Sequence, residues 1–185
     1  MNITEKESYP VQYEDILVFP EYFVDFTSNI FHQNLREYKN DDINYYVVGV
    51  GNTYRKNLTS VLLINSSGQI VGVREKISIF LGEGSDPSLR LEAFNIMKNR
   101  KLGIVICKEV LHTAIAEVYR MMKINVVAVT IGGGDFWGLQ RQSWIDQMSL
   151  FSDICGAPLV CACGATKQQG GINLIIERGK NEDKN

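Results

Sequence analysis

The sequence predicts an α/β domain with mixed sheet pairing, and three observations carry that prediction. Short apolar, β-branched runs alternate with longer stretches of helical spacing in both halves of the chain, as strands alternate with crossover helices. A hairpin interrupts the alternation in the middle, so parallel and antiparallel pairing must coexist. The 185 residues, 45% hydrophobic and 22% charged, suit a single domain with a sizeable core, and no internal repeat or low-complexity linker divides them.

Taken in order, residues 1–14 are polar at their start and are expected to be loose. Asp15-Ile16-Leu17-Val18-Phe19 reads as a buried strand halted by Pro20, which has no N–H for a ladder, and Glu21 follows at once. Over 22–39, Phe23, Phe26, Ile30, Phe31, Leu35 and Tyr38 suggest a helix, broken by Asn40-Asp41-Asp42. Three strand-like runs come next: Tyr45-Tyr46-Val47-Val48-Gly49-Val50, Ser60-Val61-Leu62-Leu63-Ile64-Asn65 and Gln69-Ile70-Val71-Gly72-Val73-Arg74. The turn Asn65-Ser66-Ser67-Gly68 joins the last two into a hairpin, since Asn and Gly tolerate tight-turn angles. Lys76 lies directly beyond it.

The glycine-rich stretch Phe80-Leu81-Gly82-Glu83-Gly84-Ser85-Asp86-Pro87 reads as a surface loop carrying Glu83. A short strand is expected over 89–94, then the apolar strand Leu102-Gly103-Ile104-Val105-Ile106 ending on Cys107. Val110, Leu111, Ala114, Ile115, Val118, Tyr119 and Met122 form one stripe and predict a helix over 109–122. Asn125-Val126-Val127-Ala128-Val129-Thr130-Ile131 is a further buried strand, closed by Gly132-Gly133-Gly134-Asp135. Trp144, Met148 and Phe151 place a helix over 143–154, stopped by Gly156 and Pro158. Strands over 159–163 and 172–177 follow, and the charged tail 178–185 is expected to be loose.

A net charge of −2 and scattered Lys and Arg leave no basic field for nucleic acid. The polar start has no signal-peptide core, and no segment approaches the roughly 20 apolar residues of a membrane helix. A cytoplasmic protein with neither membrane nor nucleic acid as partner is the expectation. The four cysteines then read as reduced thiols. Cys161 and Cys163 share one face of an apolar strand, but only His32 and His112 stand by to complete a metal set, so packing is the expected role and no metal is implied.

Cys107 admits two readings. At a strand-to-helix handover a thiol feels the unpaired N–H groups and partial positive charge of the helix start, which favour the nucleophilic thiolate. An inert, buried thiol at the end of an apolar strand is the other reading. Glu21 and Lys76, each just past a strand, would separately read as solvated ends; converging with Cys107 they could run acyl transfer. His112, five positions past Cys107 on the same predicted helix, lies about 140° round its axis and argues against a Cys–His dyad. Glu109 reads as serving the helix start. Gly132, Gly133, Asp135, Phe136 and Trp137 could line a substrate pocket if their strand runs parallel beside that of Cys107; the stretch lacks the Lys-Ser/Thr ending of a phosphate-binding loop.

These segments resemble the nitrilase (carbon–nitrogen hydrolase) superfamily. Ile16-Leu17-Val18-Phe19-Pro20-Glu21 is similar to the family's glutamate motif. Gly68-Gln69-Ile70-Val71-Gly72-Val73-Arg74-Glu75-Lys76, followed by Phe80-Leu81-Gly82-Glu83, resembles its lysine motif, and Leu102-Gly103-Ile104-Val105-Ile106-Cys107-Lys108-Glu109 its cysteine motif. The likeness runs from about Asp15 to Ile176, with the motifs in the family's order. It implies an amidase-like member with a four-layer αββα sandwich of mixed sheets spanning 1–185. By the resemblance, Glu21 is the general base, Cys107 the nucleophile that forms a thioester, and Lys76 the oxyanion stabiliser with the Lys108 N–H. Glu83 matches the family's second glutamate, which orients substrate and lysine. The substrate implied is a small amide, before a nitrile, with no cofactor.

The chain departs from the family in two respects. It looks shortened at both ends, and Lys108, counted here among substrate-binding residues, stands where the family more often has an aromatic. Missing outer strands would leave edges that oligomerisation covers, so a homo-oligomer is expected. An acyltransferase using the same three residues, and a non-catalytic fragment or scaffold, are the alternatives.

Overall fold

Runs of β-branched and apolar residues pair into two mixed sheets that pack face to face. The computed structural model describes residues 1–25, 35–51, 59–77, 91–132, 139–165, 167–169 and 171–178. Its strands are β1 (Asn2–Glu5), β2 (Val11–Tyr13), β3 (Ile16–Val18), β4 (Val24–Asp25), β5 (Tyr45–Gly51), β6 (Ser60–Asn65), β7 (Ile70–Glu75), β8 (Ala93–Ile96), β9 (Arg100–Ile106), β10 (Val126–Ile131), β11 (Leu159–Cys163) and β12 (Leu174–Glu177). Two α-helices are described, α1 (Thr113–Met121) and α2 (Leu139–Cys155).

The first sheet has the order β1-β12-β11-β10-β9-β8, with β9, β10 and β11 parallel, so that Val129 stands between Val105 and Cys161. Every residue of β10 is buried. A parallel strand covered on both faces has no polar side to show, hence a run that is apolar but for Thr130. The second sheet has the order β2-β3-β5-β6-β7, with β4 also paired to β5. β3 and β4 run parallel to β5; β5, β6 and β7 are antiparallel.

Between the sheets Val18, Val47, Val61 and Leu63 meet Leu102, Ile104, Ile106, Ala128 and Ala162. On the outer face of the first sheet, Ile115, Ala116 and Tyr119 of α1 and Met148 and Phe151 of α2 cover Val105, Val127 and Val129. The outer face of the second sheet carries Phe19, Tyr46, Val48 and Leu62, packed with Leu35 and Ile43. The mixed-sheet α/β architecture is therefore the one the sequence predicts. Among the described residues no helix is long and apolar enough to cross a membrane.

Several elements differ from expectation. Residues 1–14 are not loose throughout: β1 pairs antiparallel with β12, and β2 forms a hairpin with β3. All four side chains of β1 are exposed, so main-chain pairing holds it and no apolar pattern announces it. Of the helix expected over 22–39, the described flanks are β4 and a 3-10 turn, Arg36–Tyr38; residues 26–34 lie outside the described set, as do 89 and 90 of the strand expected before β8. The helix expected over 109–122 is broken into a 3-10 turn, Cys107–Leu111, and α1, with His112 extended between them at φ −98° and ψ 99°. The hairpin of β6 and β7 forms as predicted, with Gly68 at φ 86° and Asn65 Oδ1 accepting the Ser67 and Gln69 N–H groups.

Candidate active site

Glu21 is held by the way β3 ends. Past Val18 the Phe19 N–H donates to Val47 O at 2.9 Å, Pro20 closes the ladder, and the Glu21 N–H crosses to Ile131 O, at the end of β10, at 3.3 Å. The segment lies flat on β5 only because Gly49 has no side chain: a Cβ there would sit 2.2 Å from Pro20 O and 2.5 Å from Glu21 Cα. Lys76 continues β7 by one residue, its N–H donating to Thr59 O at 3.0 Å. Its Nζ donates to Glu21 Oε1 at 3.0 Å, and both side chains are 2% exposed. Two opposite charges taken this far out of water persist only as a pair.

Cys107 closes β9 with φ at 51°, in the left-handed region that costs a non-glycine residue energy and recurs at functional turns. Its half-buried thiol is hydrogen-bonded to the Glu21 carboxylate, and the Lys108 N–H is aimed at its sulfur. Burial first, then the Glu21 charge, push the thiol up to about 12, while Lys76 and the Lys108 N–H pull the other way. Burial and the carboxylate thus act against the thiolate that a helix start would favour. The 3-10 turn supplies too little positive potential to outweigh desolvation and a neighbouring carboxylate, so the resting group is a neutral thiol beside an acceptor.

Behind the thiol, Glu109 is fully buried and its carboxylate gathers three donors. Oε2 accepts from Ile106 N–H at 2.9 Å and from Arg74 Nη2 at 3.1 Å, and Oε1 accepts from Ile77 N–H. Arg74, 1% exposed, also donates to Glu75 O and hydrogen-bonds Tyr119, whose hydroxyl donates to Ile104 O at 2.7 Å. Glu109 therefore does more than serve a helix start. Sequence reasoning missed Arg74, although it shares a strand face with Lys76 two residues on, and two like charges at that spacing are a legible signal. Tyr22 was missed too: it has φ at 59°, its hydroxyl shares a hydrogen bond with Thr59 Oγ1 at 3.0 Å, and its ring lies against Gly132.

The structure brings together Glu21, Lys76, Cys107, Lys108 and Gly132. A Cβ on Gly132 would stand 3.4 Å from Glu21 Oε2 and 3.2 Å from the Tyr22 ring, so this glycine borders the cluster. Lys108 is half-buried beside Cys107. Glu83, Gly133, Asp135, Phe136 and Trp137 lie outside the described residues. His112 is exposed at the break between the two turns of helix, outside the thiol's hydrogen bonds. Among the described residues no group of three or more His, Cys, Asp or Glu side chains is placed to hold a metal ion, and Cys155, Cys161 and Cys163 are buried free thiols.

No family profile matches the chain, and no curated protein sequence matches it. Solved structures do. An amidase from Nesterenkonia sp., captured with the acetamide moiety of fluoroacetamide added covalently at its active site cysteine, superposes with a TM-score of 0.61 at 15% identity, over 86% of this chain and 66% of that one. A carbon–nitrogen hydrolase from Helicobacter pylori gives 0.59 at 18% identity, over 86% and 66%. The fold is the one these solved structures share, among them an amidase from the nitrilase superfamily. A glutamine-dependent NAD+ synthetase from Acinetobacter baumannii superposes at a TM-score of 0.60 and 14% identity over 89% of this chain but 38% of its own. The chain thus spans just under two thirds of the length of the amidase and hydrolase chains it matches. Within this fold, Glu21 follows β3, Lys76 follows β7 and Cys107 follows β9, so both sheets contribute to one cluster.

Proposed function

We propose that this chain is a carbon–nitrogen hydrolase of the nitrilase superfamily that cleaves a small amide through a thioester on Cys107. The observation that carries the reading is the buried Glu21–Lys76 pair with the Cys107 thiol hydrogen-bonded to the same carboxylate. A neutral thiol in contact with a carboxylate is a nucleophile with its general base in place.

As Sγ attacks the amide carbon, its proton passes to the Glu21 carboxylate and the carbonyl oxygen gains negative charge. The Lys76 ammonium and the Lys108 N–H hold that oxyanion. Collapse breaks the C–N bond, the proton on Glu21 goes to the departing nitrogen, and ammonia or an amine leaves a thioester. Glu21, again a carboxylate, takes a proton from water as the water attacks; collapse of the second intermediate returns the proton to Sγ and releases a carboxylic acid. An orphaned buried ammonium would be costly, so Lys76 is matched by the Glu21 carboxylate at rest and by the oxyanion while Glu21 holds the proton.

The test is a panel of small amides and nitriles with the protein and its Cys107→Ala variant, read by mass spectrometry for an acyl adduct on Cys107 and by ammonia release. An adduct that water discharges, absent from Cys107→Ala, is expected. Neither adduct nor ammonia from the intact protein overturns the enzyme reading and leaves a non-catalytic scaffold. Discharge only by an added amine makes it an acyltransferase.

A further inference from the structure

The geometry points to Arg74 and Glu109 as a positioning pair that locks the lysine-bearing strand to the cysteine-bearing turn. The inference rests on the proposed roles of Lys76 and Cys107, but it concerns their spacing and can be read without a substrate. Lys76 and Cys107 are carried by different sheets, Lys76 at the end of edge strand β7 and Cys107 at the end of β9. Nothing in sheet pairing fixes one against the other. The Glu109 carboxylate does: it accepts the N–H of Ile106, the residue before Cys107, and the N–H of Ile77, the residue after Lys76, while Arg74 on β7 neutralises its charge. One buried anion thus bonds to the immediate chain neighbour of each functional side chain.

A cap for the 3-10 turn alone would need only the Ile106 N–H, three residues back. The Ile77 bond spans 32 residues, the Arg74 bond spans 35, and both reach the other sheet. Arg74 is likewise more than a surface countercharge. At 1% exposure, wedged between Glu109 and Tyr119 on α1, it ties β7 to the helix layer behind the thiol. A carboxamide at position 109 would present N–H donors to donors and lose the charge that Arg74 needs.

If the pair sets the distance between Lys76 and Cys107, loosening it weakens the pull of the ammonium on the thiol. The test is the rate of Cys107 alkylation by iodoacetamide from about pH 6 to 10, since the thiolate is the reacting form. Peptide mass spectrometry separates Cys107 from the three buried thiols. Glu109→Gln and Arg74→Met are expected to slow the reaction by roughly tenfold for each unit the thiol rises, with Arg74→Lys restoring most of the rate. A merely structural role would lower the melting temperature and leave the pH profile of the folded protein unchanged, and that result overturns the proposal.

Should Glu109→Gln not fold, Glu109→Asp is read in its place. It keeps the charge but is one methylene too short to reach both amides, and the same slowing is expected. A measurement on the unaltered protein stands beside these: the Ile77 amide should exchange with deuterium as slowly as that of Ile106, and a freely exchanging Ile77 overturns the tether. An unchanged alkylation profile in the folded variants sinks this inference alone, whereas absence of an acyl adduct from a protein whose variants show the expected slowing sinks only the hydrolase reading.

Discussion

Replacing Glu21 with Gln separates the chemistry of the thiol from that of the proposed base. The substitution keeps the shape and one carbonyl oxygen for Lys76 Nζ, now 3.0 Å from Oε1, and removes the charge. Burial, the largest cause of the raised Cys107 pKa, remains, but the Coulombic and hydrogen-bonding contributions of the carboxylate vanish and Lys76 becomes the nearest charge. The thiol must therefore move down from about 12 towards its ordinary 9.0. Each unit of that return raises the thiolate fraction near neutral pH roughly tenfold. Stability should fall by about 3 kcal/mol, the lower end for a broken buried pair, because Gln still accepts from the ammonium. Alkylation of Cys107 by iodoacetamide at about pH 8 should therefore quicken at least several-fold while amide turnover is lost, because no base remains to take the proton or activate water. Slower or unchanged alkylation in a folded Glu21→Gln protein would refute the reasoning.

Three further outcomes follow from the geometry. Gly49→Ala drives a methyl into Pro20 O and Glu21 Cα, so urea denaturation should show a loss of about 1–3 kcal/mol or more, and any folded fraction should fail to acylate Cys107. Raised thiol values make the protein alkali-sensitive: burial lifts Cys107 to about 12 and Cys155 to about 11 from 9.0, so the folded state holds protons that the unfolded state gives up. Their contribution is complete below pH 9.0 and is lost as pH rises through the folded values, at up to about 1.4 kcal/mol per pH unit per thiol. Thermal melts should steepen in that window, and Cys107→Ala or Cys155→Ala should each flatten them. His112→Ala, at an exposed position, should change stability by less than about 0.5 kcal/mol and leave acylation of Cys107 intact; loss of acylation would revive a Cys–His mechanism.

What could be read from the sequence was whatever burial imprints locally. β10, and β9 from Leu102 onward, are apolar but for Thr130 because both faces are covered; Cys107 stands out directly after such a run, Glu21 after Phe19-Pro20, and Lys76 just past the hairpin strand β7. β1 escaped because its pairing with β12 is carried by main-chain bonds while its four side chains face solvent, which leaves no period to detect. The break at His112 escaped because the apolar stripe continues across it; the left-handed angle at Cys107 and the Glu109 bonds that divide the helix are not helix-stop residues. Arg74 and Glu109 escaped as a pair because 35 positions separate them, and only the packing of one sheet on the other makes them neighbours.

That pair also explains why the thiol stays protonated. Lys76 and Arg74 are two buried cations, Glu21 and Glu109 two buried anions, and each is matched at close range. A resting thiolate would be a third anion with no cation of its own, in a region where unmatched charge is penalised by several kcal/mol. Neutrality is restored during attack only if negative charge leaves the sulfur as fast as the proton leaves it. In the proposed mechanism a substrate carbonyl placed against Lys76 and the Lys108 N–H takes that charge, while Glu21 takes the proton and frees the ammonium to face the new oxyanion. Under the proposed mechanism, the balance of the resting site would couple ionisation of Cys107 to the presence of substrate, and the raised pKa is compatible with that mechanism.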